Sequence, residues 1–238
     1  MQIVCAGKNE VFSFAKSIGV GLIEASVGLT RLCLEKKPEK IVFIGSCGLY
    51  KKNDENALNL KAYTENSSDF KQEIQNTNMS FFKQEAQDKK AKLQAKNTCK
   101  QELKSQANQK ENNILKLLEI YETRHCFNIE ASKLISNFYS PAECEINLNV
   151  SYETKKCNSS NYICTDENIA EKFVSLGLEL ENMEAFAVLS VARHFKIPAT
   201  CFLCATNFCD KDAHEFFLLH HAQAKKNLEN FLQEKNLI

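Results

Sequence analysis

The sequence has no excess of charge of either sign. Thirty basic residues balance thirty acidic ones, so no net field draws the chain to nucleic acid or to an anionic membrane. It has no apolar run near the roughly 18 residues that span a bilayer, and Met1-Gln2-Ile3-Val4-Cys5 lacks the basic start of a signal peptide. Together these absences predict a soluble, cytoplasmic protein whose partners are small molecules. Arginine is almost missing. Arg31, Arg124 and Arg193 are the only three, which leaves few groups able to grip a phosphate with two parallel hydrogen bonds. No metal or other cofactor is expected. His214, His220 and His221 sit along an amphipathic C-terminal segment without ligand spacing and read as surface or packing residues. Cys201-Phe202-Leu203-Cys204 lies in an extended stretch, where the two sulfurs do not face one site.

What is present is enough for a core: 44% of the 238 residues are hydrophobic, which suits one medium α/β domain over 1–238 with an insertion. Eleven cysteines are scattered through apolar contexts such as Cys5, Cys33 and Cys47 and read as reduced thiols acting as small hydrophobes. Two β-prone runs, 3–6 and 11–15, flank the polar link Gly7-Lys8-Asn9-Glu10 and predict a hairpin. An amphipathic helix is expected over 22–35, stopping before Pro38. The apolar run 40–44 then predicts a central strand covered on both faces, ending in a glycine-serine turn. Between residue 51 and about 113 the composition shifts to Lys, Gln, Asn and Glu, so about 70–113 reads as a solvated helical or partly disordered insertion. A strand is expected at 58–63. Further strands are expected around 146–151, at 161–165 and over 200–205, with helices over 166–176, 183–195 and 213–234. This alternation predicts an α/β three-layer sandwich around a central mixed sheet.

Three polar patches fall where such a fold places ligands, at the C-terminal ends of its strands. Gly45-Ser46-Cys47-Gly48 offers backbone N–H groups and a hydroxyl to an anion, though an ordinary tight turn reads the same way. Met183 and Glu184 open a helix, where a carboxylate can accept from two sugar hydroxyls while the methionine packs on the sugar's apolar face. The alternative for Glu184 is an acidic first-turn residue favoured by the helix dipole. Asn207 follows one helix and one strand later, and its amide can both accept from and donate to a purine edge, though an asparagine at a strand end is also a common loop residue. Asp166 either caps its helix or reaches a bound base.

Taken together, the patches resemble the nucleoside phosphorylase family, which includes purine nucleoside phosphorylases and methylthioadenosine or S-adenosylhomocysteine nucleosidases, here with a shortened N-terminus. Gly45-Ser46-Cys47-Gly48 is similar to the family's phosphate-binding turn. Asn182-Met183-Glu184-Ala185 resembles its Glu-Met-Glu-Ala ribose motif, and Thr206-Asn207 its Ser-Asp or Thr-Asn pair facing the purine. Lys16-Ser17-Ile18-Gly19-Val20-Gly21 and Gly177 match further family glycines. The resemblance implies that Gly45 and Ser46 bind phosphate and that Met183 and Glu184 bind ribose. Cys47 and Gly48 would line the substrate site, Tyr162 would stack on the base, and Asn207 would be the catalytic group at the purine. It implies phosphorolysis of 6-oxopurine nucleosides such as inosine and guanosine, with inorganic phosphate as co-substrate, in a homo-oligomer. The alternatives within the resemblance are a hydrolytic nucleosidase, which the scarcity of arginine favours, and a member that binds a nucleoside without turning it over.

Overall fold

The computed structural model describes residues 1–50, 115–136, 139–148 and 152–238. The expected insertion at about 70–113, the strand at 58–63 and the end of the strand expected to reach 151 lie outside the described residues. The chain divides into two units, Met1–Lys52 with Lys116–Ile238, and Asn53–Leu115; the elements below all belong to the first.

The centre is β3 (Ile41–Leu49), whose run Ile41, Val42, Phe43 and Ile44 is apolar at every position because both faces are covered. On one edge it pairs in parallel with β1 (Gln2–Cys5) through its first half, and antiparallel with β8 (Leu180–Glu181) at Gly48 and Leu49. On the other edge it runs parallel to β9 (Ala199–Phe208) over its whole length, with a register shift between Cys47 and Gly48. The remaining strands extend the sheet. β2 (Lys16–Ser17) flanks β1, and β4 (Ile120–Thr123) flanks β9. β7 (Lys156–Asn158), β5 (His125–Phe127) and β6 (Glu145–Asn147) continue outward from β8.

Among the helices, α5 (Ala213–Glu234) lays Ala224, Leu228 and Leu232 on Ile3, Cys5, Val42, Ile44 and Cys204. Each leucine so buried contributes roughly 1.5–3 kcal/mol of transfer free energy. α4 (Ala185–His194) packs on α1 (Gly21–Lys36) and on β3 and β9. The short α2 (Ala131–Ile135) lies against α3 (Glu167–Ser175). The result is the expected three-layer mixed-sheet fold. Among the described residues no helix is long and apolar enough to cross a membrane, and the ten described cysteines are free thiols.

Several local expectations are corrected. Residues 3–6 and 11–15 do not form a hairpin. β1 instead finds parallel partners in β2 and β3, because burial of Ile3, Val4 and Cys5 under the helices outweighs a local pairing with the half-exposed 11–15 segment. Gly45-Ser46-Cys47-Gly48 is not a turn but the second half of β3, bulged where it meets Asn207. Residues 161–165 are irregular, and the strand lies just before them at β7.

Candidate active site

Beyond the C-terminal ends of β1, β3 and β9 lies a cavity of about 240 Å³. Its wall brings together the loop after β1, with Lys8 and Glu10, the second half of β3, the Glu181–Glu184 segment, Asn207, and His214 and Phe217 from the start of α5. The patches at Ser46, Met183, Glu184 and Asn207 therefore converge on one space, as do Cys47 and Gly48.

Glu10 is the residue that sequence reasoning missed. Gly7 turns with φ 103°, and its carbonyl accepts from the Glu10 N–H at 3.0 Å. This turn swings the Glu10 carboxylate onto Ser46, where it accepts from the backbone N–H at 2.9 Å and from the Ser46 hydroxyl. Burial pushes the Glu10 carboxyl up, while the two Ser46 hydrogen bonds and the charges of Lys225 and His221 pull it back. The donors that the resemblance assigned to phosphate thus already hold an anionic side chain.

Asn182 builds the opposite wall. Its Oδ1 takes the N–H groups of Glu184 and Ala185, each at 2.8 Å, where α4 begins, and its Nδ2 donates to the Ser46 carbonyl at 2.9 Å. A carboxylate at this position would cap the helix equally well but has no hydrogen to give Ser46. Glu184 accepts from the Gly21 N–H at 2.8 Å. Gly21 has φ 80°, and a Cβ there would fall 2.8 Å from Asn161 Oδ1, so glycine is required where α1 approaches this carboxylate. Burial first, then repulsion from Glu10, raises the Glu184 carboxyl to about 7.

Asn207 is buried at the far end of β9, and its amide is fixed at both ends. Oδ1 accepts from the Thr206 hydroxyl at 2.9 Å and Nδ2 donates to the Phe208 carbonyl at 3.0 Å. One N–H and one lone pair are left for a ligand. His220, expected to be a surface or packing residue, is buried, with Nδ1 2.7 Å from the Thr206 carbonyl. His214 lines the cavity.

Two expected residues stand elsewhere. Tyr162 is 79% exposed and does not line the cavity; its neighbour Ile163 does. The reason is local: Ser160 Oγ bonds both the N–H and the carbonyl of Tyr162, a tight turn that points the ring outward. Gly45 is not part of the lining, and a Cβ there would sit 3.1 Å from Glu10 Oε2, behind the carboxylate. None of the three arginines reaches the cavity. Arg124 pairs with Glu122 and Arg193 with Glu143, both outside the lining, and Arg31 is exposed on α1. Asp166 takes the capping role, accepting from Asn168 N at 2.8 Å and Ile169 N at 3.3 Å at the start of α3.

Comparison with known proteins agrees with this fold. The Phosphorylase superfamily model matches residues 131–234. A mutant methylthioadenosine nucleosidase from Helicobacter pylori, solved with 5'-methylthioadenosine in its active site, superposes with a TM-score of 0.60 at 12% identity, covering 98% of this chain and 97% of that one. A mutant futalosine hydrolase from the same organism gives 0.62 at 12% identity, covering 98% and 96%. The S-adenosylhomocysteine nucleosidase of Streptococcus pyogenes, in complex with 5-methylthiotubericidin, gives 0.58 at 9% identity, covering 97% and 93%. No curated protein matches the chain. The resemblance to the nucleoside phosphorylase family stands on the family match together with the fold.

Proposed function

From a chain that matches the Phosphorylase superfamily over residues 131–234 and shares the fold of nucleosidases, we propose an enzyme that cleaves the N-glycosidic bond of purine nucleosides with water. The observation that carries this reading is Glu10. Its carboxylate accepts both donors of Ser46 at the cavity wall, so a phosphate would have to displace a like-charged group without an arginine to help it. A water has no such conflict, and the adjacent carboxylate is a base for it.

In this reading the water oxygen bonds to the anomeric carbon as the carbon–N9 bond breaks. The water's proton passes to Glu10, and the bond's electron pair leaves with the purine. Burial raises the basicity of Glu10 above that of an ordinary carboxylate, which favours it as a general base. The departing sugar carries cationic character, which the Glu10 carboxylate offsets until it takes the proton, while Glu184 bonds the sugar hydroxyls and Met183 packs on its apolar face. Asn207 cannot give up a proton, so it stabilises the leaving base through its spare N–H. That suits a 6-oxopurine, whose N7 and O6 edge takes such a bond, better than an adenine that needs protonation at N7.

The test is incubation with inosine, guanosine, adenosine and methylthioadenosine, with and without phosphate, following free base and sugar product. Base release without phosphate, yielding free ribose, is expected. Release that depends on phosphate and yields ribose 1-phosphate would instead support the phosphorolysis implied by the motif at Ser46. Nucleoside binding with no release under either condition would support a non-catalytic member. The resemblance also implies a homo-oligomer, which sedimentation measures directly.

A further inference from the structure

The edge of β3 that β1 and β8 share has a gap at the cavity. β1 pairs with β3 as far as Ile44, and β8 begins at Gly48. Residues 45–47 therefore meet no strand on that edge among the described residues. The N–H and C=O of one residue leave a strand on the same side, and both groups of Ser46 point into the gap. Two side chains stand in for a neighbouring strand. Glu10 accepts from the Ser46 N–H at 2.9 Å, and Asn182 Nδ2 donates to the Ser46 carbonyl at 2.9 Å.

This arrangement dictates the residue types. A carboxylate can serve the Ser46 N–H, but its carbonyl needs a group that carries a hydrogen. Asn182 supplies it and is engaged on its other side too, where Oδ1 accepts from the N–H groups of Glu184 and Ala185, each at 2.8 Å. Three of its four hydrogen-bonding positions are thus used. One buried amide holds the Ser46 backbone on one side and the start of α4, with Glu184, on the other. While Ser46 is held, its N–H and hydroxyl stay on Glu10. Neutrality matters as well. Glu10, Glu181 and Glu184 already line the cavity, opposite Lys8 and His214, and a further negative charge beside Ser46 would disfavour the Glu10 carboxylate. The motif that Asn182-Met183-Glu184-Ala185 resembles begins with glutamate, so the amide belongs to this chain rather than to the motif.

We propose that Asn182 is a positioning residue: it keeps the two Ser46 donors on Glu10 and ties them to Glu184, so that an amide here, and not an acid, holds Glu10 in its proton-accepting form. The inference rests on the nucleoside-cleaving reading and names the residue that sets its base.

The experiment follows kcat and KM on inosine across pH in the full-length wild type, Asn182→Asp and Asn182→Ser. In the same three proteins the ionisation of Glu10 is titrated by difference infrared spectroscopy, each against its own Glu10→Gln counterpart. Asparagine, aspartate and serine all supply a capping oxygen. Aspartate has no hydrogen for Ser46 and adds a charge, whereas serine is too short to reach Ser46 and adds none. In Asn182→Asp, kcat at neutral pH is expected to fall about 10- to 100-fold with a smaller change in KM, because part of the general-base contribution is lost. The acid limb of the pH profile and the Glu10 titration are expected to move up together by about one pH unit. Asn182→Ser is expected to move the Glu10 titration the same way by less. Activity lost with the Glu10 titration unmoved in both variants, the mark of a merely structural Asn182, would overturn the proposal. Wild-type kcat in both variants would overturn it too, as would failure of both to fold. Wild-type protein that releases base from no nucleoside would overturn the nucleoside-cleaving reading itself, and the infrared titration would still decide whether Asn182 sets Glu10.

Discussion

At one end of the cavity each contact joins segments far apart in the chain, Glu10 to Ser46 and Gly21 to Glu184, whereas at the other end Glu181, Gly48 and Asn207 are neighbours in sheet register. The first end depends on side chains reaching across loops and is rich in carboxylates with raised proton affinity. The second is set by backbone pairing, and its polar groups are pinned by short chains of hydrogen bonds. Burial raises the Glu181 carboxyl at the second end as well, but there Tyr50, Cys164 and Cys209 hold it from behind, whereas Glu10 and Glu184 meet across loops. This is the division expected if water is activated at one and a leaving group is held at the other.

The largest effect expected from breaking this contrast is at Glu10. Glu10→Gln keeps an acceptor for Ser46 but removes the base, and kcat is expected to fall about 10²- to 10⁴-fold. Steady-state hydrolysis of inosine measures it. If phosphate-dependent turnover appears in the variant where the wild type had none, Glu10 is what excludes phosphate; unchanged kcat removes Glu10 from the chemistry.

At the register-built end, Asn207→Ala is expected to raise the barrier by about 2 to 4 kcal/mol by deleting a hydrogen bond to the leaving base, with a far smaller change in unfolding free energy. Asn207→Asp restores a group able to carry a proton to N7 and is expected to raise adenosine cleavage relative to inosine. An unaltered ratio would mean that Asn207 does not face the base.

The carboxylate end also has a signature in stability. Glu184 holds its proton up to about pH 7, whereas the unfolded chain releases it near 4.5. Between those values the folded protein binds more protons, so the stabilisation is complete below about 4.5 and is lost as pH rises through about 7. The loss is on the order of 3 kcal/mol at most. Glu184→Gln keeps the acceptor for the Gly21 N–H and is expected to flatten this slope in urea titrations at pH 5 and pH 8. Glu10, raised by the same cause, leaves a residual slope of the same sign. An identical slope in the variant would place the proton elsewhere.

What could be read in the sequence follows the same division. The expected helix over 213–234 coincides with α5, that over 22–35 with all but the ends of α1, and the apolar run at 40–44 with the first half of β3, because the first two repeat with the helical period and the third is a short continuous apolar run that suits a strand covered on both faces. Met183, Glu184 and Asn207 were legible as motif residues. Glu10 was not. It sits in a four-residue polar link that reads as a hairpin turn, and its role exists only because β1 pairs in parallel with a strand some forty residues later. Tyr162, which the resemblance assigned to stacking on the base, stands outside the cavity lining because a serine-centred turn leaves its ring exposed.

The smallest effect sharpens the boundary between fold and site at Asp166, where sequence left two roles open. Its Oδ1 accepts from two N–H groups that would otherwise lack partners at the start of α3, and it stands outside the cavity lining. Asp166→Ala is therefore expected to cost about 1 kcal/mol of unfolding free energy and to leave kcat/KM on inosine unchanged. Asp166→Asn, which retains a capping oxygen, is expected to recover most of that loss. A variant that unfolds at the wild-type denaturant midpoint but loses activity would reverse the assignment, because a cap acts on the helix it begins and only a residue touching the substrate acts on the reaction alone.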